Sequence, residues 1–382
     1  MTVYYVAKTG NDSNAGTAHG SPKLTIASAV ASAYGGTGNV VEIIDSGEYT
    51  EGDIEIYSNP ITVRATGSNR PTMDGDANNK NYAFVTFISG CVFQGLSMRQ
   101  YDDGIIRGYN TAGRNFLLRD CVGHIVGGPQ LIGGGGSSEI HQCKIVSDGH
   151  AAFSVVSDST VWFNNSIIAS NKPGFTALQS SISYTNVTAS FCTFIGSGYN
   201  NASGRNYHLV DQAYKVINCI VTGSGDGINA YDSTYNVVHV SGDPFIAWTN
   251  DSWDGSTRSA ATGEVTGNPL FVSGSTPGIV DSDPVAAGNQ EVLGDVDFGT
   301  QNYSGSQDYS LSSDSGPADG AGVAYNNITT DIADEDRADP PTIGAYAFAA
   351  AGYANTLIGV AAGSLGKILG VSKANVSKVV GT

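Results

Sequence analysis

One short pattern returns six times along this chain of 382 residues, at intervals of 22 to 27 residues. It consists of an apolar residue, two residues typical of turns, a small residue, and an apolar residue two positions further on. Self-similarity with a regular period of this size indicates a solenoid, a propeller or another repeat array. The six copies begin with Val92-Phe-Gln-Gly95, Leu118-Arg-Asp-Cys121, Ile140-His-Gln-Cys143, Phe163-Asn-Asn-Ser166, Ala189-Ser-Phe-Cys192 and Val216-Ile-Asn-Cys219.

The spacing within the pattern indicates a corner between two strands. Side chains alternate between the faces of a strand, so the small residue and the apolar residue two positions later share a face. The apolar residue three positions earlier has the wrong parity, and a turn restores it. Residues such as Asp120, Asn165 and Asn218 supply the turn chemistry. A chain that turns at the same place in every repeat, with in-register strands on both sides, is predicted to be a β-helix.

The small residues of successive coils are then predicted to stack inside the molecule, about 4.8 Å apart. This interior column consists of Cys121, Cys143, Ser166, Cys192 and Cys219. We expect its cysteines to be free, buried thiols that pack as small apolar groups. One alternative is disulfides between neighbouring cysteines of the column, in which case Cys91 would be unpaired. The other is metal binding.

Composition and charge exclude several function classes. The chain has 50 Gly and only 14% charged residues, which agrees with an all-β fold with many bends. Its net charge is −17, and no cluster of five or more Lys or Arg occurs, so we expect no nucleic-acid partner. No apolar run approaches the roughly 18 residues of a membrane span, so we expect no membrane insertion. Neutral glycans, cations or a basic protein surface are the easier partners.

The chain divides into four predicted segments. Residues 1–38 contain a strand and a helix that begins at Ser21 (N-cap) and Pro22 (N1) and ends before Gly35-Gly36. We expect this helix to cap the first coil of the β-helix. Residues 39–272 form the coils, 273–350 form a closing segment packed on the outside, and 351–382 form a tail for attachment or oligomerisation.

Both ends of the main body carry family-like motifs. The first set is Tyr4-Tyr-Val-Ala-Lys-Thr-Gly-Asn-Asp-Ser-Asn-Ala-Gly-Thr17, Ser21-Pro-Lys-Leu-Thr-Ile26, Ile61-Thr-Val-Arg-Ala65 and Arg70-Pro-Thr-Met-Asp-Gly75. The second set is Asn268-Pro-Leu-Phe-Val272, Asp308-Tyr-Ser-Leu311, Ser315-Gly-Pro-Ala-Asp319 and Ile343-Gly-Ala-Tyr346. Between residues 3 and 348 the chain thus resembles right-handed parallel β-helix proteins of the pectate-lyase-like superfamily. The resemblance implies the fold; it does not imply one function, because the superfamily contains lyases, hydrolases, adhesins and viral proteins.

The tail contains an 11-residue unit twice, at Gly359–Leu369 and Gly370–Val380. It resembles short Gly-Val repeats that end many bacteriophage structural proteins. We expect it to dock on the body, on symmetry mates or on another virion protein; the alternative is a flexible terminus. The paired positions, which are the predicted attachment residues, are Leu365, Lys367, Ile368, Val376, Lys378 and Val379.

Catalytic residues are difficult to assign from the sequence. The family resemblance implies that lyases on this fold pair a Lys or Arg base with Ca²⁺ held by several carboxylates. The outward position two residues before the column instead carries Arg119, His141, Asn164, Ser190 and Ile217, which is no acidic ladder. If the chain is a lyase, the catalytic candidates are Arg119, His141 and Asp148. Candidates for a structural Ca²⁺, against the favoured alternative of a plain acidic loop, are Asp331, Asp334 and Asp336; no other cofactor is expected.

Two further features bear on binding. Trp248 and Trp253 lie in a wide excursion at residues 244–258, and with Asn164 they are predicted to bind glycan. The alternative for the two tryptophans is that they are buried anchors of this loop. The position after the column is outward but often apolar, as at Val122 and Ile167. We expect a packed loop, a partner protomer or a glycan to cover it.

The sequence favours a non-enzymatic bacteriophage virion protein: a fibre, a decoration protein or an adhesin for host-surface glycan. It would be extracellular, on the virion, as a monomer or a homotrimer. The first seven residues lack the charged start and apolar core of a signal peptide, which supports a route other than secretion or a leader already removed. The alternatives are a polysaccharide lyase or glycoside hydrolase that degrades host glycan, and a secreted bacterial surface protein.

Overall fold

The structure is a computed structural model. It describes residues 1–67, 69–75, 80–108, 116–126, 130–132, 136–147, 151–155, 159–170, 177–180, 186–197, 199–200, 205–206, 208–240, 244–246, 257–267, 317–318, 320–337 and 341–345. These residues contain one α-helix and 29 strands, so the predicted all-β class is confirmed. In the same residues we find no helix with the length and apolar character needed to cross a membrane.

The strands form one large sheet, a ten-stranded sheet and two small sheets. The 14 strands of the large sheet are β1 (Val3–Val6), β2 (Asn39–Ile43), β5 (Ile61–Ala65), β8 (Cys91–Gln94), β11 (Phe116–Arg119), β13 (Gln130–Ile132), β14 (Ser137–His141), β16 (Phe153–Val155), β17 (Thr160–Asn164), β19 (Leu178–Ser180), β20 (Asn186–Ser190), β24 (His208–Ile217), β26 (Asp226–Thr234) and β28 (Phe245–Ile246). The ten-stranded sheet contains β3 (Glu48–Tyr49), β6 (Thr72–Asp74), β9 (Ser97–Tyr101), β12 (Val122–Ile125), β15 (Lys144–Ser147), β18 (Ile167–Ser170), β21 (Thr193–Ser197), β25 (Ile220–Ser224), β27 (Val237–Val240) and β29 (Val265–Thr266). The small sheets contain β4 (Ile54–Ile56), β7 (Tyr82–Thr86) and β10 (Gly104–Gly108), and the antiparallel pair β22 (Tyr199–Asn200) and β23 (Arg205–Asn206).

Successive coils add parallel strands to the same stacks, and the result is a parallel β-helix. The large sheet holds two stacks, one from β1 to β20 and one through β13, β16 and β19, which meet at the ten-residue strand β24. Neighbouring strands of these stacks pair in parallel, for example β14 with β17 and β15 with β18. The repeat in the sequence therefore corresponds to one coil of a solenoid, as predicted.

The corner between the large and the ten-stranded sheets needs one left-handed residue, where the sequence had suggested two turn residues. The φ angles are +48° at Asp120, +54° at Gln142, +48° at Asn165 and +55° at Asn218. Asp and Asn tolerate this region better than most residues with a Cβ atom. The corner amides continue the ladder, for example from Asp120 N to His141 O (3.0 Å).

The repeat pattern places Gly95 at the small position that Cys121 takes in the next repeat, and this alignment is wrong by one residue. Gly95 has a φ of +71°, and its amide donates to Arg119 O at 3.1 Å, as the other corner amides do. Gly95 is therefore the corner of its coil, and the buried Leu96 takes the place in line with Cys121. The glycine supplies a positive φ here, whereas the sequence pattern had treated it as a small core residue.

The interior column is confirmed. All five cysteines are free and buried. Cys143 N donates to Ser166 Oγ at 3.2 Å, which places two successive members side by side. Burial and the neighbouring thiol raise the pKa of Cys143 and of Cys219, so these thiols are protonated at neutral pH. The column is part of one core that also includes Leu118, Ile140 and Phe163.

The N-terminal helix begins later than predicted. It spans Ile26–Ala33, and Thr25 is the N-cap, with its hydroxyl accepting from Ser28 N. The predicted cap at Ser21 and first turn at Pro22 are wrong, because this stretch runs extended beside β1, where Lys23 N donates to Tyr5 O at 2.9 Å. The helix buries Ile26, Ala29, Val30 and Ala33 in the core. Its role as a cap of the first coil stays a prediction.

The described part of the closing segment, within residues 317–345, covers the outer side of the ten-stranded sheet. Ile343, Ala345 and Ala318 pack on the outward apolar residues of that sheet, including Ile167 and Ile220. The corner side chains hold the segment: Asn165 Nδ2 donates to Thr330 O, Gln142 Nε2 to Asp331 O and Asn218 Nδ2 to Val323 O. The cover predicted for the outward apolar positions is therefore a packed segment of the same chain.

Candidate functional site

The outward side of the large sheet is partly exposed to solvent. Arg119, Glu139 and Trp162 are exposed, whereas Ser190 and Ile217 are buried. Two lines of outward residues cross this side, each joining Cα partners on neighbouring strands. The first line is Glu139, Trp162, Thr188, Lys215 and Asp232. The second is Arg119, His141, Asn164, Ser190 and Ile217, the order expected from the repeat. We call these two lines together the outer face.

Trp162 is the large aromatic residue of the outer face. It lies in β17, and 38% of its surface is exposed. Its Cα partners are Glu139, which is exposed, and Thr188, which is half-buried. An indole with polar neighbours offers a flat apolar surface together with hydrogen-bonding groups.

Asn164 lies two residues after Trp162 on the same strand and is fixed by its neighbours. Its Nδ2 donates to Glu139 Oε1 at 3.3 Å, and its Oδ1 accepts from Ser190 Oγ at 2.6 Å. These contacts hold the amide in one orientation beside the indole. The predicted glycan-binding residue Asn164 thus shares a strand and a face with the exposed Trp162.

Arg119 and His141 are direct neighbours across two coils. Arg119 is exposed, whereas His141 is half-buried and its Nδ1 has no hydrogen-bond partner. Burial and the Arg119 charge lower the pKa of His141, against the opposite effect of Glu139 and Asp334. The imidazole is therefore neutral near pH 7 and able to accept a proton.

A second aromatic group lies at the other end of the first line. The rings of Tyr214 and Tyr231 stack at 5.8 Å with an angle of 9°, and the side chains are 48% and 69% exposed. The residues that follow them in the chain form an ion pair, in which Lys215 Nζ lies 2.7 Å from Asp232 Oδ2. Lys215 Nζ also lies over the ring of Tyr325, a residue of the closing segment, at 5.5 Å from the ring centroid. This tyrosine group combines stacking surfaces with a charged pair.

A polar group without access to solvent lies between β24 and β26. His208 Nδ1 is 3.2 Å from Asp211 Oδ1, which also accepts from Asn229 Nδ2 at 3.1 Å. His208, Asp211 and Asn229 are all 0% exposed, and His208 Nε2 and Asp211 Oδ2 have no partner. Since no ligand reaches these atoms, the group connects two strands rather than forming a binding surface.

The acidic candidates of the closing segment form a turn. Asp331 Oδ1 accepts from Ala333 N at 2.8 Å and from Glu335 N at 2.9 Å. Asp334 accepts from Gln142 Nε2, and Asp336 is exposed. Over the part of the chain that the structure describes, no group of three or more His, Cys, Asp or Glu is arranged to hold a metal ion. The Asp331 carboxylate is thus used by its own backbone, and Asp331, Asp334 and Asp336 do not come together as ligands.

Several predicted site residues lie outside the described residues: Asp148, Trp248, Trp253 and the attachment residues Leu365, Lys367, Ile368, Val376, Lys378 and Val379. Trp162 was not predicted as a site residue, although its parity with Asn164 in the sequence places it on the same face. Strand parity does not place Tyr214 on this face. Gln212 has a φ of +55°, and the register of the pairing between β24 and β26 shifts before Ala213. Tyr325 reaches the face only through the tertiary packing of the closing segment.

When the chain is compared with known proteins, similarity is found among solved structures. No family model and no curated protein matches the chain. The structure entitled "Crystal structure of pectate lyase Pel9A" is similar over 91% of this chain and 96% of that chain, with 14% identity and a TM-score of 0.48. A rhamnogalacturonan lyase is similar over 78% of this chain and 96% of that chain, with 14% identity and a TM-score of 0.38.

Proposed function

We propose that this chain is a glycan-binding β-helix protein without catalytic activity, and that the outer face around Trp162 is its binding surface. The exposed indole beside a fixed amide is the observation that carries the proposal. A sugar ring presents an apolar face and a rim of hydroxyl groups. Trp162 offers a stacking surface for the face, and Asn164, Glu139 and Thr188 offer partners for the hydroxyls.

Charge and composition support a glycan over other partners. The net charge of −17 opposes nucleic acid. The exposed aromatic residues at and beside the outer face are interspersed with polar and charged side chains. Contiguous apolar patches of several hundred Å² often mark protein docking sites, so the mixed pattern favours a sugar. Strands in a packed stack also hold these side chains in fixed positions, which reduces the entropy lost on binding.

The test is a glycan array probed with the full chain and with Trp162→Ala, followed by calorimetry on the glycans that bind. We expect the wild type to bind at least one polysaccharide and Trp162→Ala to lose about ten-fold or more in affinity. Tyr57→Ala is the matched control, because Tyr57 is 49% exposed but lies next to the three-stranded sheet, stacked on Phe87. Absence of binding to every glycan, or equal affinity of Trp162→Ala, would contradict the proposal.

We further propose that the protein is displayed on a bacteriophage particle as a fibre, decoration protein or host-surface adhesin. The 11-residue repeat of residues 359–380 supports this context. In this proposal other virion proteins hold the tail, and the outer face meets host-surface glycan. Particles assembled with a chain lacking residues 352–382 should contain none of it, and normal incorporation of the shortened chain would refute the attachment role.

The pair Arg119 and His141 favours a polysaccharide lyase as a second candidate. A neutral imidazole beside an exposed guanidinium can accept a proton next to a carboxylate that the guanidinium binds. A lyase would generate unsaturated products that absorb ultraviolet light when incubated with acidic polysaccharides. His141→Gln should then abolish the absorbance change. If the absorbance does not change with any of a broad panel of acidic polysaccharides, the lyase is refuted and the non-catalytic function is retained.

A further inference from the structure

The line of Cα partners that contains Trp162 ends beside the tyrosine group. Trp162, Thr188, Lys215 and Asp232 are successive Cα partners in four neighbouring strands. Tyr214 and Tyr231 precede Lys215 and Asp232 directly in the chain. With a strand spacing of about 4.8 Å, the line from Trp162 to Asp232 spans about 14 Å.

This line runs along the axis of the β-helix, perpendicular to the strands. The rise per coil is comparable with the length of one sugar residue in an extended glycan. We propose that the outer face is a two-part site for a linear glycan of about four residues or more, which lies along the axis from Trp162 to the tyrosine group. This inference rests on the proposed function and adds the length and direction of the ligand.

The tyrosine group is built to hold the far end of such a chain. The rings of Tyr214 and Tyr231 are stacked and nearly parallel, and both side chains are exposed. Lys215 and Asp232, paired at 2.7 Å, place a donor and an acceptor at its base. Ion pairs of this kind are suited to sugar hydroxyls, which both donate and accept hydrogen bonds.

Tyr325 makes the closing segment part of this site. Its ring lies over Lys215 Nζ, and the segment is fixed two residues earlier, where Val323 and Asn218 exchange two hydrogen bonds of 2.9 and 2.7 Å. The segment therefore covers the ten-stranded sheet and also extends one side chain around the corner to the outer face. A complete tyrosine group requires the closing segment to be docked.

The experiment measures affinity against glycan length. The probe is a series of oligosaccharides, from disaccharide to octasaccharide, of the linear polysaccharide that the full chain binds on the array. The variants are Trp162→Ala, Tyr231→Ala and Tyr325→Ala, with Tyr57→Ala as the control. Thermal unfolding of each variant verifies that it is folded.

We expect the wild-type affinity to rise up to about the tetrasaccharide and then to level off. Tyr231→Ala should lower the affinity for the octasaccharide about ten-fold and leave that for the disaccharide unchanged or nearly so, and Tyr325→Ala should do the same to a smaller extent. If the affinity does not rise beyond the disaccharide, or if Tyr231→Ala binds the octasaccharide like the wild type while Trp162→Ala does not, the two-part site is refuted and the proposed function stands. If the wild type binds no glycan, the proposed function itself fails.

Discussion

At the scale of single residues, the outer face couples the ionisation of His141 to the charge of Arg119. Burial and the neighbouring guanidinium keep the pKa of His141 below its ordinary value of 6.5. The folded protein thus favours the neutral ring, and the unfolded chain binds the proton more readily. The stability that the neutral ring provides is fully present above pH 6.5 and is lost as the pH falls from 6.5 towards the folded pKa.

We predict that His141 titrates below 6.5 in an NMR titration, and that Arg119→Gln raises its pKa because the repelling charge is removed. His239 is the internal control, since burial alone lowers the pKa of that residue. It should titrate identically in both proteins. An unchanged His141 pKa in Arg119→Gln would show that the two side chains do not interact.

The buried polar group leads to a second prediction at this scale. In Asp211→Ala, His208 Nδ1 loses its partner, and its Nε2 already has none. An imidazole without hydrogen bonds in the interior is costly, so we expect the free energy of unfolding to fall by about 2–4 kcal/mol in denaturant titrations.

Asp232→Ala is the matched control for this substitution. Its carboxylate pairs with Lys215 on the surface, and a pair of that kind contributes about 1 kcal/mol or less. If both substitutions destabilise the protein equally, burial of the His208 group is not what determines the effect.

At the scale of elements, Arg337 holds the closing segment on the coils. Its partly buried guanidinium donates to Thr330 O, Thr342 O and Gly344 O within the segment, and to Asn165 Oδ1 at the corner. It also lies 4.2 Å from the ring centroid of Phe191. Burial lowers the pKa of Arg337 to about 10, so the group is still charged at neutral pH.

We predict that Arg337→Lys loosens the closing segment and leaves the coils intact. A lysine cannot reproduce the planar set of donors, and several buried oxygens lose a partner, at a cost of about 2–4 kcal/mol. Hydrogen exchange followed by mass spectrometry should show faster exchange in residues 320–345 and unchanged protection in β14 and β17. Arg64→Lys, at the surface pair with Glu42, should change neither region. Uniform loss of protection in the coils would mean that the segment and coils unfold together.

The sequence predicted those parts of the elements that follow from local alternation. The cysteine column and the outward line of Arg119, His141 and Asn164 depend only on parity within one repeat, and both are present in the structure. The start of the helix was wrong because Lys23 pairs with Tyr5 across the chain, a contact that cap statistics do not contain. The tyrosine group was missed because a left-handed residue at Gln212 and the docking of Tyr325 are both tertiary features.

At the scale of the whole molecule, the core determines which truncations the fold tolerates. The coils share one continuous core, and a second cluster joins the ten-stranded sheet to Ala318, Ile343 and Ala345. The last described residue of the first cluster is Phe245, and that of the second cluster is Ala345. We expect the body to fold without the predicted tail, residues 351–382. Removal of the closing segment instead exposes the apolar side of the ten-stranded sheet.

We predict that deletion of residues 351–382 leaves the midpoint of thermal unfolding unchanged, and that deletion of residues 317–382 lowers it and causes aggregation. The second deletion uncovers a strip that includes Ile167, Ile195 and Ile220, and an exposed patch of this kind promotes association. Calorimetry and light scattering at several protein concentrations distinguish the two outcomes. The chain without residues 351–382 should also keep its glycan affinity, because it still contains Trp162, Tyr231 and Tyr325. A monomeric, equally stable chain without residues 317–382 would show that the coils do not need their cover, and that the closing segment serves the outer face alone.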